Sequence, residues 1–380
     1  MVGDATEMAA AVERYLKLFQ QRNIPLEISV QDIRGKDILD ICTMLIRLIQ
    51  EAGDCVVDLS GGAEPVILSI GAAISQLDQE TRKRVRVEKF DHKDNTVRDC
   101  LHDNQEIQAK AVHLTAKELI YLHGGTLFPD SYQVPENSSY RDVAGLWSLA
   151  SETPRDWNRA IMLLGEFESR SDSKMQVFLP LEHLRNSISA FETKEDTVRE
   201  LLGKLQREGI IDNYSSHNTL KYTYTSQLLR YCTQKAGNVL EVKTLLEGRA
   251  TLENGAPYFH DCQMSVSIDW DGIVHNPKNR VPETRNEIDV VLMHGTTPLF
   301  ISCKNGNIGE EELYKLHTVA ERFGGPYAKK MLIATDLDLK SPAANRAFIQ
   351  RAWDMDIFLV SDAAALSREE WRQVFKKAIQ

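Results

Sequence analysis

Two short strand-like runs, each carrying charge among apolar residues, constrain this chain more than any other feature. The first is Asn286-Glu287-Ile288-Asp289-Val290-Val291, the second Leu299-Phe300-Ile301-Ser302-Cys303-Lys304, with Met293-His294-Gly295-Thr296-Thr297-Pro298 between them as a turn. Side chains alternate along a strand, so Ser302 and Lys304 share one face while Ile301 and Cys303 share the other. The same rule puts Glu287 with Asp289. Acids and lysines on strands are mostly solvated. These, however, are flanked by Val290, Val291 and Leu292 and by Leu299, Phe300 and Ile301, which read as buried strands where an unpaired charge is costly.

An acid and a lysine side by side on a hairpin suit metal-dependent phosphodiester hydrolysis. A hard divalent cation needs oxygen ligands, and a nearby lysine orients the attacking water and offsets negative charge. Asp289 and Lys304 fit these two tasks.

Asp289, twelve intervening residues and then Ser302-x-Lys304 resemble the core of the PD-(D/E)XK nucleases, in which an Asp and a spacer precede Glu/Gln-x-Lys. Ser302 departs from that pattern, since a hydroxyl is a weaker, uncharged ligand. Upstream, Gly237-Asn238-Val239-Leu240-Glu241 resembles the Gly-x-x-Leu-Glu on the first helix of such nucleases. The resemblance makes Glu241 a metal-site acid and Glu287 an auxiliary one. It implies Mg²⁺ or Mn²⁺ held by Glu241 and Asp289, with Ser302 or a water completing the shell.

With 380 residues the chain is long enough for two or three domains. No run approaches the ~18 apolar residues of a membrane span, and the acidic, polar N-terminus is unlike a signal peptide; a cytoplasmic protein is expected. The six cysteines form no C-x-x-C pair, which argues for reduced thiols rather than a zinc module or disulfide framework. His260-Asp261-Cys262 lacks further ligand partners. A net charge of −10 repels a polyanion at long range, so nucleic-acid binding must be confined to a cleft.

The first 90 or so residues alternate helix and strand patterns, the signature of a parallel sheet flanked by helices. Met8, Val12, Tyr15, Leu16 and Phe19 fall at helical spacing, a short strand follows around Glu27 to Val30, and Ile38, Ile41, Leu45, Leu48 and Ile49 mark the next helix. Cys55 to Leu59 reads as a buried strand running into Ser60-Gly61-Gly62, after which Val66, Ile67, Ile70 and Ile74 define a helix with Pro65 in its first turn. Strand, Gly-Gly turn and helix start form an anion cradle: small residues allow close approach, and unpaired N–H groups face the ligand.

Taken with the downstream motif, Asp58-Leu59-Ser60-Gly61-Gly62 resembles the sensor of CRISPR-associated Rossmann-fold (CARF) proteins. That resemblance implies a homodimer enclosing a cyclic oligoadenylate, with cyclic tetra-adenylate the expected activator. It places Gly3, Asp4 and Thr6 in the first loop of the ligand pocket beside Ser60, Gly61 and Gly62. It also expects a strand before that loop, and no strand-length apolar segment precedes Gly3. Glu64, next to the cradle, must point away.

Residues 96–139 are polar and turn-rich and are expected to be a linker, with a boundary near 138. Beyond it, helices over Trp157 to Phe167 and Val198 to Leu205, then a hairpin through Ile210-Ile211 and Leu220 to Tyr224, resemble a winged helix. Its basic Arg199, Lys204 and Arg207 are countered by Glu195, Asp196, Glu200 and Glu208, favouring a spacer over a DNA reader. After the hairpin, Leu313, Leu316, Ala320 and Phe323 outline a helix ending at Gly324-Gly325, and strands follow at Met331 to Thr335 and Ile357 to Val360. Tyr314-Lys315-Leu316 and Phe323-Gly324-Gly325-Pro326 look similar to the segment that follows the catalytic lysine in CARF-linked nucleases.

The expected fold is α/β: a Rossmann-like sensor at 1–138, a winged-helix-like connector at 139–233 and a restriction-endonuclease-like α/β/α domain at 234–380. The expected function is a cyclic-oligoadenylate-activated endonuclease that cleaves DNA, RNA or both in type III CRISPR defence. Two rivals stand beside it: a ligand-responsive winged-helix transcription regulator with a degenerate nuclease domain, and a restriction or repair nuclease that needs no signal.

Overall fold

The computed structural model describes residues 1–91, 96–101, 105–107, 112–128, 132–171, 173, 175–272, 285–306, 308–337, 339 and 341–380, excepting the side chain of Glu7. The chain forms two compact units: Met1–Thr126, joined by short segments at Trp270 and Gly295–Thr297, and a larger unit from Leu127 onward.

In the first unit, the helices Ala5–Gln21, Ile38–Ala52 and Glu64–Gln76 form where apolar periodicity predicts them. Asp37 caps the second by accepting the Asp40 N–H, and Pro65 opens the third, where its missing N–H costs nothing. The core joins Ile41, Leu45 and Ile49 to Val66, Ile70, Ala73 and Ile74 and to Val85 and Val87 of the sheet. That sheet is mixed: Cys55–Asp58 pairs in parallel with Val85–Asp91, and Thr96–Asp99 and Gln105–Ile107 continue it antiparallel.

Several expectations are corrected here. The strand at Cys55 is not buried but alternates half-buried and exposed residues, leaving Val56 47% exposed. Apolar composition marks a strand without saying how many faces are covered. The short strand expected at Glu27 to Val30 lies instead at Gln31–Asp32, where it pairs in parallel with Val2–Gly3. The stretch expected to be a linker contains two strands of the sheet and the helix Ala116–Leu122, started by a capping box between Thr115 and Glu118. His102, Asp103 and Asn104 lie outside the described residues, as do Pro129 and Asp130.

The second unit begins with a winged-helix arrangement. Helices Pro154–Glu168, Leu181–Ser187 and Phe191–Arg207 accompany a three-stranded sheet in which Thr219–Tyr224 lies between Gln176–Pro180 and Ile211–Ser215. Two of the three basic side chains named for its last helix are already engaged. Arg199 bonds to Glu195 at 2.8 Å and to the Ser216 carbonyl at 2.6 Å, and Lys204 pairs with Glu200 at 2.8 Å. Buried Glu168 accepts bonds from Tyr222 and Tyr224, both at 2.6 Å, and pairs with Arg230 at 3.0 Å, tying the wing to the segment that leads into the next helix.

That next helix, Asn238–Arg249, is buried on nearly every side; Glu241 and Arg249 alone are not fully covered. It packs with Arg368–Ile379 on a sheet whose neighbouring strands are Ile357–Val360, Lys329–Ala334, Thr297–Lys304, Arg285–His294 and Asp261–Asp269. The first three are mutually parallel, joined by the crossover helices Glu310–Gly324 and Pro342–Asp354. Strand propensity carries further than the turn residues suggested: the site strands run to His294 and resume at Thr297, leaving Gly295, at a φ of 61°, and Thr296 as the turn. The Glu310–Gly324 helix ends at Gly325, as expected, and Tyr314 is 45% exposed.

Candidate active site

Alternation along the site strand acts as predicted. Cys303 turns its Sγ toward Thr244 of the buried helix, 3.5 Å away, while Ser302 and Lys304 both reach Asp289, at 3.3 and 3.6 Å. The neighbouring strand makes room for this. At Ser265 the backbone adopts φ 49°, uncommon for a residue with a side chain, and the ladder pairs Met264 with Val290 and Val266 with Ile288 but skips Ser265 and Asp289. The Asp289 carboxylate instead accepts the Cys303 N–H at 2.6 Å.

Glu241, in the first turn of the buried helix, belongs to the same electrostatic cluster. Burial, reinforced by the nearby Asp289 and Glu287 charges, pushes its carboxyl up to about 8, against the weaker pull of Lys235 and Lys304. Asp289 is also raised, chiefly by burial, although Lys304 and the Cys303 N–H favour its ionised form. For Lys304 burial acts downward, but Asp289 and Glu312 outweigh it and keep the ammonium charged. Glu287 lies at the exposed end of its strand. Ser302 is 7% exposed and points its hydroxyl at Asp289.

Glu241, raised by burial and by the Asp289 and Glu287 charges, and Asp289, raised by burial and by Glu287, form a donor set which a divalent cation would relieve. The residues therefore fit a divalent cation such as Mg²⁺ or Mn²⁺, which Glu241 and Asp289 would hold. Among the described residues no three acid, histidine or cysteine side chains gather into a ready-made cage. Waters and substrate oxygens would complete the shell, as Mg²⁺ prefers.

Sequence reasoning missed two neighbours. Glu312, in the first turn of the Glu310–Gly324 helix, lies 3.1 Å from Lys304 and 2.9 Å from Lys315; although burial opposes ionisation, these lysines hold its carboxyl below the usual range. The run Glu310-Glu311-Glu312 directly after the site strand was the available signal. Tyr231 stacks on Tyr132 with ring centroids 4.2 Å apart, and its hydroxyl meets Ser265 at 3.0 Å. Burial, with Glu241 and Glu287 nearby, pushes it up to about 12. Nothing in the sequence separated this tyrosine from others.

In the first unit, a cleft of about 760 Å³ is lined by Asp58, Ser60, Gly61 and Gly62 together with Val2, Met8, Leu45 and Ile70. Ser60 is fixed there: its N–H donates to Asp58 at 2.8 Å and its hydroxyl accepts the Phe90 N–H at 2.8 Å. Glu64 is exposed. Gly3 sits in the two-residue strand beside the cleft-lining Val2. Asp4 and Thr6 do not line the cleft. They gather at Arg34, which bonds to Thr6 at 2.9 Å and pairs with Asp4 at 3.8 Å, and whose bonds to Asp32 bring that carboxyl down to about 2.

No family profile and no curated protein matches this sequence. The architecture is nevertheless that of solved α/β proteins. The chain is similar along 100% of its length to protein VC1899 from Vibrio cholerae, at 16% identity and a TM-score of 0.71, covering 89% of that chain. It is similar in the same way to Can2 from Sulfobacillus thermosulfidooxidans in complex with cyclic tetra-adenylate, at 15% identity and a TM-score of 0.65, over 100% of this chain and 91% of that one. At such identities the likeness is one of fold.

Proposed function

We propose that this protein is a metal-dependent nuclease activated by a cyclic oligoadenylate, with its sensor at 1–138, a connector at 139–233 and the nuclease domain at 234–380. The observation carrying the reading is the convergence of Glu241, Asp289 and Lys304, with both acids raised chiefly by burial, Glu241 further by the Asp289 charge, and the lysine 3.6 Å from Asp289. Glu241 and Asp289 hold the cation, with Ser302 or a water beside them, and Glu287 is an auxiliary acid. The cation supplies Lewis-acid activation of water and phosphate. Lys304 orients the attacking water and neutralises charge that develops on the phosphorus oxygens.

The sensor reading is supported by the cleft at Ser60, Gly61 and Gly62 and by the shared fold with Can2, whose structure holds cyclic tetra-adenylate. In this proposal Gly3, Asp4 and Thr6, which follow the cleft-lining Val2 in sequence, meet the ligand outside the cleft itself, and a second copy of the chain closes the pocket. Activation then requires the ligand to bind one state of the dimer more tightly than the other. The protein acts in type III CRISPR defence on DNA, RNA or both, in the cytoplasm; among the described residues no helix is long and apolar enough to cross a membrane.

One observation favours a second reading. Ser302, neutral and buried, stands where the resemblance expects an acid, which suits a ligand-responsive regulator whose C-terminal domain is scaffold. Supercoiled plasmid and single-stranded substrates incubated with and without Mn²⁺ and cyclic tetra-adenylate decide. The nuclease reading expects cleavage only when both are present and its loss in Lys304→Ala. Intact substrate under every condition supports the regulator, and cleavage indifferent to the activator removes the sensor from the account.

A further inference from the structure

Lys304 has two carboxylates within ion-pair distance among the described residues, and the nearer is not the one on the neighbouring strand. Glu312 lies 3.1 Å from its ammonium, Asp289 3.6 Å. Glu312 projects from the first turn of the helix that follows the site strand and is itself held from the other side by Lys315, at 2.9 Å. Asp289, Lys304, Glu312 and Lys315 thus form a line of alternating charge. Both carboxylate oxygens of Glu312 face lysines, Oε2 toward Lys304 and Oε1 toward Lys315, so it is turned to hold a cationic side chain rather than to receive a metal. An acid placed only to favour a helix N-terminus could stay in solvent, yet the Glu312 side chain is 21% exposed while that of Lys315 remains 68% exposed.

We infer that Glu312 is a positioning residue that pins Lys304 beside Asp289, fixing the ammonium where the attacking water must sit; the inference rests on the nuclease reading proposed above. A lysine has four rotatable side-chain bonds and a compact, spherical charge. Asp289 alone, at 3.6 Å and shared with Ser302 and the Cys303 N–H, does not define its place. The neutral Ser302 adds no charge to hold it. A second anchor on a separate helix removes the remaining freedom. Lys315 acts one step further out, restraining the anchor.

The test uses the full chain with Mn²⁺, cyclic tetra-adenylate and supercoiled plasmid, comparing wild type with Glu312→Gln, Glu312→Asp and Lys315→Ala. Glu312→Gln is expected to lower kcat about 10- to 100-fold, the scale of an ångström-sized misplacement. KM for DNA and the Mn²⁺ dissociation constant should stay within about twofold, Glu312→Asp should recover part of the loss, and Lys315→Ala should show a smaller one. A crystal structure of Glu312→Gln supplies a readout independent of turnover: the Lys304 ammonium should leave Asp289. An unchanged kcat, a fall in Mn²⁺ affinity that parallels kcat, or a Lys304 that stays at Asp289 in the variant overturns the inference. If the wild-type protein proves inactive, the nuclease reading is what fails, and the position of Lys304 in the variant still decides whether Glu312 holds it.

Discussion

Burying acids next to one another makes the site sensitive to pH in a definite direction. Glu241 titrates near 8 when folded and near its ordinary 4.5 when unfolded, so between these values the folded state binds the extra proton and stability falls as pH rises. Without divalent ions, the thermal midpoint should drop from pH 5 to pH 8.5, Mn²⁺ should reverse the drop, and Glu241→Gln should flatten the slope. A midpoint that is flat or rising in wild type would show that the Glu241 carboxyl is not strained. Lys304→Ala should lower cleavage by about 10²–10⁴-fold, the usual contribution of a positioned proton-transfer group, with the midpoint little changed. Asp289, Ser302 and Lys304 could be assigned to one face from the sequence because strand alternation is strict. Glu312 could not, because whether an acid in a run of three points inward depends on where its helix starts.

At the scale of elements, the helix that carries Glu241 is fixed by contacts that periodicity does not reveal. Lys243 is 1% exposed, 3.4 Å from Glu247, with its ammonium over the rings of Tyr140, Trp147 and Trp371 at 4.2, 5.3 and 5.0 Å. Burial lowers its pKa to about 8. Glu247, fully buried, also receives Arg368 at 2.9 Å and Arg372 at 3.6 Å, which fastens the C-terminal helix to the site helix. Glu247→Ala should cost about 3–5 kcal/mol in denaturant unfolding, since it strands the buried Lys243 ammonium; a loss under about 1 kcal/mol would mean that the clasp is unimportant. Gly248 lies against Leu292 of the Asp289 strand, with room for no more than hydrogen: an added Cβ would come within 2.8 Å of a leucine methyl. Gly248→Ala should therefore destabilise by about 1–3 kcal/mol and weaken Mn²⁺ binding by shifting Glu241. Helices with one apolar face, such as Ile38–Ala52 and Phe191–Arg207, were legible from spacing. Asn238–Arg249 was found only through its Gly-x-x-Leu-Glu, because a helix buried all round carries no amphipathic stripe. The strand Asp261–Asp269 was legible in principle, since its polar and apolar residues alternate strictly from Asp261 to Asp269.

For the whole molecule, the composition limited the possibilities without selecting one. The −10 net charge disfavours long-range attraction of a polyanion, so the proposed reading needs any such binding to be local. The mixed sheet of the first unit, half of it in a stretch that reads as linker, shows how short strands of three or four residues stay below the threshold of pattern reading. The central claim is that Glu241 and Asp289 take up one divalent cation within reach of Lys304, and its most direct test is calorimetric. Mn²⁺ titrations at pH 7 in buffers of different ionisation enthalpy count the protons expelled on binding. A Glu241 carboxyl with a pKa of about 8 is mostly protonated at that pH, so about one proton should leave per Mn²⁺ in wild type and almost none in Glu241→Gln. Binding without proton release, or no binding in wild type, would contradict the account.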